Sequence, residues 1–158
     1  MDTFHTPNNY APVIKTDFSS YQRVIAISDI HADYAGFQGV LKQLNFTTND
    51  ALVIVGDILE KGKHSLELLH EVMELIKQGN IYIVAGNNDI IFEEWYGNLV
   101  TNEDVHWYLH SREDSILIDM ARELQMPFET LDEIEALKTA IEKHYKEELA
   151  FLCNLPYI

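Results

Sequence analysis

Three stretches of the chain run from apolar residues into residues that bind metals. Val24-Ile-Ala-Ile-Ser-Asp29-Ile-His31 closes on an aspartate and a histidine two positions apart. Leu52-Val-Ile-Val55 opens onto Gly56-Asp57, and Ile81-Tyr-Ile-Val-Ala85 opens onto Gly86-Asn87-Asn88-Asp89. Carboxylate, imidazole and carboxamide oxygen form a mixed donor set that suits Mn, Fe, Zn or Mg better than a soft metal. Asp57 stands on the middle stretch. Each of its carboxylate oxygens can take one ion, which makes it the candidate bridge between two. Two such cations hold phosphate oxygens and lower the pKa of a shared water, giving hydroxide at neutral pH. That is the chemistry of phosphate-ester hydrolysis. The competing explanation, an α/β domain whose strand ends are acidic by coincidence, leaves the ordered triple pattern unexplained.

The elements that must position these groups follow from periodicity. Strands are predicted over 23–28, 51–55 and 81–85, β-branched and apolar on both faces as central parallel strands are. Between them lie a helix over 33–44 with Phe37, Val40, Leu41 and Leu44 on one stripe, and a helix that Ser65 can N-cap, with Leu66, Leu69, Met73 and Ile76 inward. Gly79 supplies the C-terminal stop of the second. Crossovers in such a β-α-β-α-β chain are right-handed, so the strands are parallel and their C-terminal ends share one edge, where ligands of open α/β sheets bind. The topology therefore gathers Asp29, His31, Asp57 and Asn87.

The expected fold class is α/β: a mostly parallel sheet with flanking helices, followed by a helical segment. Residues 1–20 read as an N-terminal arm, 21–90 as the βαβαβ metal-binding core and 91–158 as the helical segment. Within that segment a short helix ends at Gly97-Asn98, and Ser111-Arg-Glu-Asp114 can cap a helix carrying Leu117, Met120, Ala121 and Leu124. Thr130-Leu-Asp-Glu133 is a capping-box pattern that opens one long helix through Leu152.

The composition narrows the function classes. The 158 residues suffice for one core, and 47% apolar with 11% aromatic content excludes disorder as the dominant state. The formal charge of −15, from 26 acidic and 11 basic residues, repels nucleic acid and anionic membranes. A single cysteine, Cys153, excludes an intramolecular disulfide framework and fits a reducing cytoplasmic setting. The polar stretch 1–20 lacks the basic start and apolar centre of a signal peptide, and no apolar run has the length of a membrane span.

Asp29-x-His31, Gly56-Asp57-Ile-Leu-Glu60-Lys61-Gly62 and Gly86-Asn87-Asn88-Asp89 together resemble the first three motifs of the calcineurin-like metallophosphoesterases, and the middle one leans toward the serine/threonine phosphoprotein phosphatase branch. The resemblance covers roughly residues 24 to 89. It implies Asp29, His31 and Asp57 on a first metal, Asp57 and Asn87 on a second, and Lys61, Asn88 and Asp89 as residues acting on substrate. Lys61 stands where the phosphatase branch has a phosphate-gripping arginine, keeping the charge but losing the fork. Asn88 stands where the family has its proposed general-acid histidine, and Glu60 where the phosphatase branch has the aspartate that orients that histidine. Asparagine delivers no proton at neutral pH. Good leaving groups, such as aryl esters and anhydrides, are therefore expected to suffer least. A phosphodiesterase-like branch of the family also lacks the histidine.

The resemblance also implies histidine ligands from a second half of the fold beyond the helical segment. An incomplete chain, a fragmentary gene product and a degenerate member all stay open at this stage. A half-fold would leave an apolar sheet face needing cover from the helical segment or another chain, with self-association as one outcome. The expected activity is hydrolysis of phosphate monoesters of a phosphoprotein or small molecule. Phosphodiesterase or dinucleoside-polyphosphate hydrolase activity is the alternative, and a non-catalytic metal-binding scaffold is the other class. Elsewhere, His106 and His110 are spaced as a helical pair but read as packed or exposed. His64 could reach the site as a substitute acid, and Trp95 and Tyr96 read as core. Cys153 reads as a small buried hydrophobe.

Overall fold

The computed structural model describes residues 15–156. Among them β1 (Arg23–Ile27), β2 (Asp50–Val55) and β3 (Ile81–Val84) form one parallel sheet in the order β1-β2-β3. Ile25 lies opposite Leu52, and Ile54 opposite Ile83. The crossovers carry α1 (Tyr34–Gln43) and α2 (Ser65–Ile76). Both step in the same direction across the sheet, so right-handedness puts both helices on one face. The Tyr34 hydroxyl donates to Glu71 Oε2 at 2.9 Å and ties the two together. Leu52, Ile54 and Ile81 are buried in the core, with Ile25, Ile27 and Ile83 packed against it.

Among the described residues the alternate pleat positions are thinly covered, with Val24 52% and Val55 36% exposed. Tyr82, also on this face, meets the Phe18 ring edge-on at 5.0 Å and shares a 2.8 Å hydrogen bond with the Tyr21 hydroxyl.

After β3 come α3 (Ile91–Tyr96), α4 (Asn102–His110), α5 (Ile116–Leu124), α6 (Leu131–His144) and α7 (Lys146–Leu152). They do not cover the open pleat face. Instead α5 and α7 pack on α2, and α4 packs on α6. A continuous apolar core therefore runs from Ile54 through Leu69 to Trp95, Leu117, Ile141 and Leu149. The backbone N–H of Ala85 donates to the Pro156 carbonyl at 2.8 Å, so the chain returns to the sheet beside the end of β3.

Four boundaries differ from the sequence expectation. Thr101 and Asp104 form a capping box that opens α4, an element the apolar pattern had not revealed. The cap of α5 is Ser115, whose hydroxyl accepts from the Ile118 N–H, and not the 111–114 stretch. The expected long helix breaks at Tyr145. The buried stripe Ile134, Leu137, Ile141, Tyr145, Leu149 runs straight through that break, so periodicity carried no trace of it. Ser65 is the first helical residue of α2, and His64 is its cap without a side-chain bond. The Asp119 carboxylate, from α5, accepts from the Ser65 and Leu66 N–H groups at 3.0 and 3.4 Å. A distant acid thus does the capping, and no local pattern could announce it. Among the described residues no helix is long and apolar enough to cross a membrane.

Candidate metal centre

The loops after β1 and β2 extend the sheet's hydrogen bonding beyond the strands. The His31 N–H donates to the Asp57 carbonyl at 3.0 Å and the Ala32 N–H to the Ile58 carbonyl at 2.8 Å. This pairing forces unusual backbone. Nine non-glycine residues among those described have positive φ, and six of them are Asp29, His31, Ala32, Asp57, Glu60 and Lys61. Left-handed geometry costs an ordinary side chain about 1–3 kcal/mol, and persists only where the surroundings over-determine it. Concentration of that strain in two adjacent loops marks a site.

Glycines let the loops meet. A Cβ on Gly86 would collide with the carboxylate and backbone nitrogen of Asp57, and one on Gly56 would lie 2.6 Å from the Gly86 Cα. One on Gly62 would strike the His31 carbonyl. The glycines of the second and third sequence patterns are therefore the points where three loops touch backbone to backbone.

On this frame one ligand atom from each of Asp29, His31 and Asp57 lies within 4.8 Å of the others. Asp29 is exposed and the other two are half-buried. His31 Nε2 lies 3.8 Å from Asp29 Oδ1, and its Nδ1 faces the Leu59 carbonyl at a long 3.5 Å. The Lys61 Nζ is 3.1 Å from Nε2. An ammonium only donates, so Nε2 carries the ring's lone pair and Nδ1 the proton, the tautomer a metal-binding histidine needs. Lys61 thus already presents a positive charge to the same nitrogen. Two oxygen donors and one nitrogen, with the other ring nitrogen facing a carbonyl, fit a divalent cation.

Asn88 supports the cluster. Its backbone N–H donates to Asp57 Oδ1 at 3.0 Å and its side-chain amide to Oδ2 at 2.8 Å. Both oxygens of the candidate bridge are oriented by one residue, which occupies the place of the expected acid and does a different task. Asn87, on the same turn, is exposed and lines an adjoining cavity with Asn88.

Asp89 was expected among the residues acting on substrate, and the structure places it otherwise. It is buried, and its carboxylate accepts from the N–H groups of Ile58, Leu59 and Gly86 at 2.9, 3.0 and 2.9 Å. It is a positioning residue that holds the second loop to the third. Burial raises its pKa, while the three donors pull it back.

Glu60 also departs from expectation. It is fully buried, and its Oε1 accepts from the Ile116 N–H of the helical segment at 3.2 Å. The Tyr108 hydroxyl faces its carboxylate, and Glu60 Oε2 lies 4.0 Å from the Arg112 guanidinium. Burial pushes the Glu60 carboxyl up to about 7, against the lowering pull of Tyr108, the Ile116 N–H and Arg112.

The remaining candidates resolve plainly. The His106 and His110 rings stack at 4.2 Å, with His106 Nε2 at the Glu129 carbonyl and His110 Nε2 3.2 Å from the Glu129 carboxylate. They are a packed surface pair. His64 faces Glu67 of its own helix at 3.3 Å. Trp95 is core. Burial lifts the Cys153 thiol to about 11, so it is chemically quiet. Sequence reasoning missed Tyr108 and Arg112, which reach Glu60 from a helix and loop far along the chain. Only the Glu60 position hinted that this loop had acquired a different neighbour.

Comparison with known proteins agrees with the geometry. The family model described as calcineurin-like phosphoesterase matches residues 22–149. A symmetrical bis(5'-nucleosyl)-tetraphosphatase of Chromobacterium violaceum is 28% identical over 103 residues, covering 63% of this chain and 36% of its own. Serine/threonine-protein phosphatase 2 of Escherichia coli is 30% identical over 113 residues, covering 67% of this chain and 50% of its own. The matches thus span about a third to a half of these relatives' length. No solved structure matches the chain.

Proposed function

The chain belongs to the calcineurin-like phosphoesterase family, and on that premise we propose that it is a metal-dependent hydrolase of phosphate esters centred on Asp57. The observation that carries this reading is the convergence of Asp29, His31 and Asp57 on strained loops packed through glycine. In this reading Asp29, His31, Asp57 and Asn87 would hold a pair of divalent cations drawn from Mn, Fe, Zn and Mg. Such cations supply charge against phosphate oxygens and lower the pKa of a coordinated water.

The chain's own residues do the rest. Asn88 fixes the rotation of the Asp57 carboxylate through two hydrogen bonds. Lys61 meets the substrate phosphate as a point charge beside His31. Nothing at Asn88 can protonate a departing alkoxide, so the site favours phosphate monoesters with a weakly basic leaving group. The same observation supports a second reading, cleavage of an anhydride such as a dinucleoside polyphosphate, which is what one group of relatives is named for. A cytoplasmic setting belongs to this proposal and rests on the single cysteine. So does cover for the pleat face bearing Val24 and Val55, by a C-terminal half or a second copy. A compact monomer in light scattering counts against the second copy.

The test is hydrolysis of para-nitrophenyl phosphate with added Mn²⁺. Asp57→Asn should lower turnover by at least ~100-fold, since losing even an outer partner of a metal ligand costs up to that much. No turnover in the wild type would favour a non-catalytic scaffold. Equal turnover in the variant would place the activity elsewhere.

A further inference from the structure

Beside the third loop the structure holds an open cavity of about 470 Å³, whose wall combines Asn87 and Asn88 with Leu99, Trp107, Tyr108 and Arg112. Three features of it are unexplained by the fold. Arg112 makes no hydrogen bond among the described residues. Its guanidinium stacks over the Tyr108 ring at 4.3 Å, its Nε is buried and unpartnered, and its nearest carboxylate oxygen, on Glu60, is 4.0 Å away. A guanidinium held by stacking, with one long ion pair to Glu60 and no hydrogen bond, keeps donors to offer a further anion. Trp107 is 71% exposed and Leu99 61%, on a chain whose other tryptophan, Trp95, is fully buried. A large flat side chain left in water at a cavity wall is a stacking platform. The cavity also abuts Asn88, the residue that clamps Asp57.

We infer that this cavity is a nucleotide subsite in which Trp107 stacks on a base and Arg112 grips a phosphate, directing a nucleoside polyphosphate toward the Asp57 loop. The inference rests on the hydrolase reading for its direction and deepens it by assigning the side chains that would bind base and phosphate. The volume suits a small organic ligand. Two carboxylates also line the wall. Asp104 is committed to Thr101 in the cap of α4, and Glu94 is the one that opposes an anion.

Two tryptophans, one buried, make the subsite directly readable. ATP in magnesium buffer should quench the exposed component of tryptophan fluorescence saturably. Arg112→Met should weaken ATP by roughly tenfold, the loss of one forked charged contact, while leaving adenosine unchanged. Arg112→Lys should fall between, Glu94→Gln should tighten ATP, and Trp107→Leu should weaken ATP and adenosine alike in calorimetry. The emission of buried Trp95 reports whether each variant is folded. The inference is overturned if ATP gives no saturable quenching, if folded Arg112→Met binds ATP as the wild type does, or if phosphotyrosine displaces ATP at equal concentration. Asp57→Asn separates the two readings. Turnover lost with quenching retained supports both, whereas turnover unchanged with an Arg112-dependent quench removes the catalytic assignment and leaves the subsite.

Discussion

The loop cluster around Asp57 and the wall around Arg112 lie side by side but are built by opposite means. The first is made of residues close to three strand ends, held by backbone pairing and by glycines that admit no side chain. The second joins Glu60 to residues more than forty positions later, through burial and one long ion pair. Strain is concentrated in the first, where positive φ recurs at six non-glycine residues. The second instead sets the buried Tyr108 hydroxyl against the Glu60 carboxylate and leaves the buried Arg112 Nε without a hydrogen-bond partner. In the first, both oxygens of Asp57 are held by Asn88, while Asp29 is exposed. The wall is ordered by side-chain packing, with the Arg112 guanidinium stacked on the Tyr108 ring at 4.3 Å.

Breaking the first region should have the largest effect. Gly86→Ala drives a methyl group into Asp57. The expected result is about 1–3 kcal/mol of lost stability from overpacking, together with a fall of at least ~10-fold in Mn²⁺ affinity, read by calorimetry and chemical denaturation. Unaltered metal affinity would mean that the loops are not welded there.

The second region is probed through Glu60. Its carboxyl titrates near 7 when folded, against an ordinary 4.5. Between those values the folded chain keeps a proton that the unfolded chain has lost, so stability falls as pH rises through the window. The loss approaches about 3 kcal/mol by linkage. Thermal melts of Glu60→Gln should lack that decline, and an identical pH profile in wild type and variant would refute it.

Asp89→Asn should cost about 1–3 kcal/mol, because an amide cannot accept from three N–H groups as the carboxylate does. Turnover should fall through loop geometry and the pH-rate profile should keep its shape. A changed acid limb would instead make Asp89 a proton carrier. Smallest is Asp119→Ala, which uncaps α2 from across the fold and should cost about 1 kcal/mol in denaturant unfolding.

The legibility of the two regions in the sequence follows the same divide. The three strands, their parallel direction and the gathering of Asp29, His31 and Asp57 were readable, because each depends on residues adjacent in the chain and on the handedness of crossovers, whereas the order β1-β2-β3 came from the structure. The capping box of α6 was readable as well, with Thr130 and Glu133 bonded as the pattern foretold, whereas the break between α6 and α7 and the Ser115 cap of α5 were not. Tyr145 interrupts a stripe that stays in phase, and the cap of α2 comes from Asp119.

By itself the sequence determined which residue types stand at the strand ends, since a parallel sheet brings those ends to one edge. Only the tertiary structure decided what each atom does. It turned Asn88 onto Asp57, drew Asp89 inward to hold two loops and set Glu60 near Arg112. The physical reason is that ligand identity is a property of residue type, whereas role is set by burial and by partners contributed from other elements.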